Sequence, residues 1–229
     1  MALLLDHVYA FVPPDFVDSA AFMAVSEFGL RASFGREHPG QGTANRLALF
    51  PGTALEFLWL TDADEAAGNP LRLDRRAAGP DGPDPFGLCL RGDLGPALRE
   101  RMTFHPMPGF ALGGLYLAPG WDDPAQTMVF AFDTQEDLRP VSLAYPASLF
   151  EHPGGFTAMD QVTLSLAADA PADWLEALDG ALPTNLRVAR APSGAAPELH
   201  VALARNANAN AIDDLVLPTA RGQLRLSGV

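Results

Sequence analysis

The sequence predicts a sheet-rich α+β protein, and three observations carry that prediction. Apolar residues alternate through short runs such as LLLDHVYAFV, ANRLALF and ALEFLWL, which is the period of strands with one buried face. The 229 residues include 21 Gly and 21 Pro. Pro lacks an amide donor and Gly favours turns, so helices must be few and short. Two distant strands also echo each other. Leu3 to Val12 contains LDHV and Thr157 to Leu166 contains MDQV, with His7 and Gln161 at equivalent places, which suggests a repeated strand–helix unit.

The first segment, residues 1–65, reads βαβββ. LLLDHVYAFV is followed by the helix PDFVDSAAFMAVSEFGL and then by ASFGREH, ANRLALF and ALEFLWL. Pro14 and Asp15 suit the first turn of that helix, Phe16, Phe22 and Val25 can share its buried face, and Gly29 suits its end. From Thr61 to Pro85 the chain turns acidic and rich in Gly and Pro, as expected of a linker or exposed excursion that carries no core. The remainder of the middle segment, 66–150, offers FGLCLRG, a short helix LGPALRERM, then GGLYLAP and TMVFAFD, which together suit a degenerate module. The last segment, 151–229, returns to βαβββ with FTAMDQVTLSL, ADWLEAL, NLRVARA, ELHVALAR and LVLP or QLRLSG. RNANANAID between them reads as a solvent loop. The three segments are expected to pack as one unit.

Charge and cysteine content narrow the function. All 15 basic residues are Arg against 28 acidic ones, a net of −13, and such a field repels nucleic acid. Cys89 is the single cysteine, so no intramolecular disulfide forms and a cytoplasmic location is expected. The amino-terminal MALLLDHVYAFV has no basic leader, so no secretory segment is expected. No apolar run approaches the roughly 20 residues of a membrane span.

Two polar residues stand out in apolar strands. Alternation places Leu5, His7, Tyr9 and Phe11 on one face, and Ala54, Glu56, Leu58 and Leu60 on one face of another strand. A buried carboxylate needs a partner. For Glu56 this is either His7, directly or through a shared metal, or Arg46 on a neighbouring strand. The loop HPGQGTANR offers His38, Gln41, Thr43, Asn45 and Arg46 as donors to a ligand, with Arg46 the natural anion anchor; alternatively these residues fasten their own hairpin. Cys89 between two leucines reads as buried filler.

The stretch HPGQGTANRLALFPGTALEFLWL, with LDHV before it and FGLCLRG and EHPGG after it, resembles the glyoxalase-like branch of the vicinal oxygen chelate superfamily. The resemblance implies a cupped mixed sheet of βαβββ modules around a small oxygenated substrate. In metal-dependent members, first and last module strands supply His, Gln or Glu ligands. The first-strand position matches His7 and the fourth-strand position Glu56, with Gln161 at the first-strand position of the last segment. There the terminal strand offers Gln223 or Arg225 instead of a carboxylate. His152 and His200 are further imidazoles, for which packing roles are the alternative. The implied cofactor is a divalent metal (Zn, Fe, Mn or Ni), and the implied activity that of a lyase, isomerase or dioxygenase, with Glu56 moving a proton. His38, Gln41, Asn45 and Arg46 would bind substrate. The alternative is a metal-free, bleomycin-resistance-like binding protein. An exposed module edge would permit a homodimer.

Overall fold

A computed structural model describes residues 3–77, 84–107, 112–134, 145–207, 213–219 and 221–229. Residues 78–83 of the acidic excursion and 208–212 of RNANANAID lie outside the described residues. The fold is α+β, with two sheets and four short helices among the described residues. None of these helices is long and apolar enough to cross a membrane.

The first module runs β1 (Leu4–Phe11), α1 (Ala20–Glu27), β2 (Glu37–His38), β3 (Thr43–Phe50) and β4 (Thr53–Leu60). The helix predicted from Pro14 onward is split. A 3-10 turn at Phe16–Asp18 precedes extended Ser19, whose hydroxyl caps α1 by accepting from Phe22 N, the usual work of an N-cap serine. Phe16 nonetheless packs on Phe22 and Phe57. A short helix, α2 (Ala63–Gly68), follows, capped by Asp62.

The middle segment repeats the order as β5 (Phe86–Gly92), α3 (Gly95–Arg101), β6 (Thr103–Pro106), β7 (Gly114–Leu117) and β8 (Met128–Asp133). The eight strands form one sheet in the order β2-β3-β4-β1-β5-β8-β7-β6. Reading outward from the central antiparallel pair β1 and β5, each module places its last strand parallel to its first, then its third, then its second. The middle segment is therefore the half that closes the cup against the first module.

The terminal segment does something else. It contains β9 (Phe156–Leu166), α4 (Asp173–Ala177), β10 (Leu186–Arg190), β11 (Glu198–Arg205), β12 (Leu215–Pro218) and β13 (Gln223–Gly228), in a separate sheet ordered β10-β9-β11-β13-β12. β9 pairs in parallel with β10, the strand that follows its helix, so the expected third βαβββ cup module is corrected to a βαβ crossover with added strands. The LDHV/MDQV echo is a local strand pattern and carries no pairing information. This sheet buries Val162, Leu164, Val201 and Leu226, with Trp174 of α4, in one core with Leu5, Val8 and Ala10 of β1, and so covers the face of the large sheet opposite to the cup.

Two other expectations change. β1 carries a bulge, because Leu5 pairs with Leu90 but His7 pairs with the next residue, Cys89. Leu5 thus joins the core behind the sheet, while His7, Tyr9 and Phe11 face the cup. The excursion after β4 also carries core: Leu71 and Leu73 are buried. Arg76, buried too, donates to the carbonyls of Trp121, Asp123 and Gln126, tying the excursion to the second module.

Candidate functional site

The cup encloses a cavity of about 420 Å³ with two unlike walls. The first module supplies Asp6, His7, His38, Asn45 and Glu56 from its strands and Arg36 and Gln41 from the chain beside β2. The second module supplies Leu115, Met128, Phe130 and Phe132, and the excursion roofs the space with Leu71 and Leu73. Such a pocket, largely apolar with convergent polar groups on one side, is the common form of a small-molecule site.

A continuous chain of polar contacts crosses the polar wall. Arg91 of β5 donates through Nη2 to Gly52 O at 2.7 Å and through Nη1 to Asp6 Oδ2 at 3.2 Å. Asp6 Oδ1 lies 2.8 Å from His7 Nδ1, and His7 Nε2 lies 3.3 Å from Glu56 Oε2. Glu56 Oε1 accepts from Asn45 Nδ2 at 2.7 Å. The bulge makes this possible, because it lets the consecutive residues Asp6 and His7 both line the cavity.

The charges support each other. Burial disfavours the imidazolium of His7, but the hydrogen bond to Asp6 and the negative charges of Glu56 and Asp6 outweigh it, and its pKa is raised. Burial likewise pushes the Asp6 carboxyl up, yet the His7 bond and the charges of His7 and Arg91 bring it below its usual range. His38, by contrast, is lowered by burial against the pull of Glu56. A raised histidine adds stability that is complete below the unfolded value of about 6.5 and is lost as pH rises through the folded value. The difference in melting temperature between the wild type and His7→Gln is thus expected to shrink from about pH 6 to pH 9. A constant difference over that range would contradict the double carboxylate contact.

His7, Glu56, His38, Gln41 and Asn45, singled out from the sequence, come together here. Arg46 does not. It stands opposite Phe57 while Leu47 stands opposite Glu56, so Arg46 points to the other face, over the Trp59 ring at 5.8 Å. This corrects both its role as anion anchor and its ion pair with Glu56. Gln161 lies in the second sheet, its amide donating to Asn185 O and Val162 O, which corrects its place as a ligand. His152 receives Arg31 N–H and contacts Leu49 O, and His200 bonds Ser227, so both serve packing. The residues that sequence reasoning missed are Asp6, Arg91 and Arg36. A cation inside FGLCLRG was the available signal for Arg91, since a buried guanidinium requires an anion.

The cup lines its cavity with Asp6, His7, His38 and Glu56, but Asp6, His7 and Glu56 are engaged with one another and with Arg91 and Asn45 instead of converging on an open metal position. Catalytic zinc commonly takes three protein ligands. The second-module positions facing His7 and Glu56 are Cys89 on β5 and Met128, Phe130 and Phe132 on β8. Asp6, His7 and Cys89 do form a compact group. However, Asp6 is held by Arg91, and Cys89 is fully buried on β5 and is not among the residues that line the cavity. These residues do not fit a resident metal centre.

A family model described as a glyoxalase-like domain matches residues 5–179. A solved structure of a hypothetical protein from Staphylococcus aureus aligns over 100% of both chains at 12% identity, with a TM-score of 0.61, which supports the fold alone. Methylmalonyl-CoA epimerase from Mycobacterium tuberculosis aligns over 60% of this chain and 93% of its own at 17% identity, with a TM-score of 0.39. The Streptomyces coelicolor enzyme aligns over 59% of this chain and 100% of its own at 13% identity, with a TM-score of 0.41. No curated protein matches the sequence. With the family model spanning both cup modules, the chain belongs to the glyoxalase-like domain family, the branch of the vicinal oxygen chelate superfamily that its sequence resembles.

Proposed function

We propose that the cup binds a small carbonyl compound with an apolar body and that Glu56 and His7 transfer a proton on it, as an isomerase or lyase does. The observation that carries this reading is the Glu56–His7 contact of 3.3 Å set in a polar wall opposite an apolar one. The Glu56 carboxylate takes a proton from the carbon beside the carbonyl. The C–H electron pair forms the new C=C bond, and the carbonyl π pair moves to oxygen. The His7 imidazolium donates to that enolate oxygen, where the developing charge is greatest. Asn45 holds the Glu56 carboxylate in orientation. Asp6, His7 and Glu56 are engaged with one another and with Arg91 and Asn45, so the step is assigned to these side chains.

The test is deuterium exchange, read by proton NMR in D2O, with 2-oxo acids and esters that carry aromatic or branched bodies. Saturable exchange at the carbon beside the carbonyl, unchanged after chelator treatment, is expected. Exchange that vanishes with chelator and returns with a divalent metal would overturn the assignment to side chains alone. Saturable binding without exchange would favour the metal-free sequestering reading, for which the apolar wall of Leu115, Met128, Phe130 and Phe132 speaks.

A further inference from the structure

Among the described residues that line the cavity, Arg36 is the one guanidinium, in a chain with no lysine and a net charge of −13. The general field therefore repels organic anions, and a cation in the cup inverts it locally. Arg36 is exposed and forms no ion pair among the described residues, so its fork of donors is open to a ligand. Its positive charge is felt at both His7 and His38.

Its backbone is held with unusual care for an exposed residue just outside β2. Arg36 O accepts from Asn45 N at 3.0 Å and Arg36 N donates to Asn45 Oδ1 at 2.9 Å. The same Asn45 side chain donates to Glu56 Oε1 at 2.7 Å. One buried amide thus fixes the distance between the anchor of a cation and the proposed base, the kind of support that positions a binding group. A bare surface arginine needs no such tie.

We propose that Arg36 is the specificity residue of the cup: it grips the carboxylate of an organic anion whose carbonyl lies at Glu56 and His7 and whose apolar body lies along Met128, Phe130 and Phe132. The substrate class is a 2-oxo acid or a similar acid with its carbonyl close to the carboxylate, matching the planar donor fork. This inference rests on the proton-transfer reading only for the orientation of the carbonyl.

The test compares 2-oxo-4-phenylbutanoate with its methyl ester, by calorimetric binding and by deuterium entry at C3, for the wild type, Arg36→Gln and Arg36→Lys. The wild type is expected to bind the acid about 10- to 100-fold more tightly than the ester. In Arg36→Gln that preference is expected to collapse to about 2-fold through loss of acid affinity alone, with Arg36→Lys in between. Equal weakening of both compounds in Arg36→Gln, no preference in the wild type, or no binding of either compound at millimolar concentration overturns the inference. The two readings fail separately. An Arg36-dependent preference without deuterium entry sinks proton transfer alone, whereas Glu56-dependent exchange that is as fast in the ester as in the acid sinks the anion site alone.

Discussion

Glu56→Gln is expected to slow deuterium exchange by about 10²- to 10⁴-fold, the range that a positioned general base contributes. The exchange must also lose its dependence on Glu56 rather than on binding, so ligand affinity should change far less than rate. The substitution is nearly isosteric, and the bond from Asn45 Nδ2 survives on the remaining carbonyl oxygen. The neighbour that suffers is His7. Its Nε2, 3.3 Å from Oε2, would face an amide NH2 group or a neutral oxygen instead of a carboxylate. One of the negative charges that raise its pKa disappears, so the loss of stability with rising pH should set in at lower pH than in the wild type. A variant that exchanges at the wild-type rate would end the case for Glu56 as the base. One that exchanges slowly but keeps the wild-type pH profile of stability would show that the two side chains are not in contact.

Gly87→Ala is expected to destabilise the protein by about 3 kcal/mol or more, at or beyond the upper end of ordinary overpacking. Gly87 and Tyr9 are direct partners across the central β1–β5 pair, and a Cβ on Gly87 would lie 2.0 Å from Cε1 and Cζ of the Tyr9 ring. Neither backbone can retreat, because each strand is paired on both sides. Tyr9→Leu in the same chain should recover much of the loss, an interaction between the two changes that a double-mutant cycle measures by urea denaturation. Tyr9→Phe should not, since the clashing ring atoms remain. On its own Tyr9→Phe is expected to be close to neutral, because the Tyr9 hydroxyl is buried with no partner among the described residues and its removal forfeits no bond. An additive double mutant would show that Gly87 is not there to clear the ring.

Much of the cup was legible because its strands obey simple rules. FGLCLRG is strand β5 residue for residue, and of the two partners the pattern allowed for Glu56 the structure shows His7. The rest was hidden for identifiable reasons. β6 is TFHP, four residues ending in proline at a sheet edge, too short and too exposed to show a period. In TANRLALF both faces carry apolar residues, Ala44, Ala48 and Phe50 behind and Leu47 and Leu49 within, so alternation separates Asn45 from Arg46 without saying which one enters the cavity. The acidic excursion looked solvated on composition, yet its two leucines and Arg76 do the covering. The terminal sheet was misread because like strands need not pair alike.

The bulge at Asp6 acts as a change of parity. Before it, the odd residues Leu3 and Leu5 belong to the core behind the sheet; after it, the even residues Val8, Ala10 and Val12 do. One added residue therefore decides which alternate positions of β1 are read by a ligand and which by the hydrophobic interior, and it does so without altering any side chain. Removing that single residue would restore a regular ladder and leave only one of Asp6 and His7 facing inward. Chemistry in this cup depends on a counting error built into its central strand.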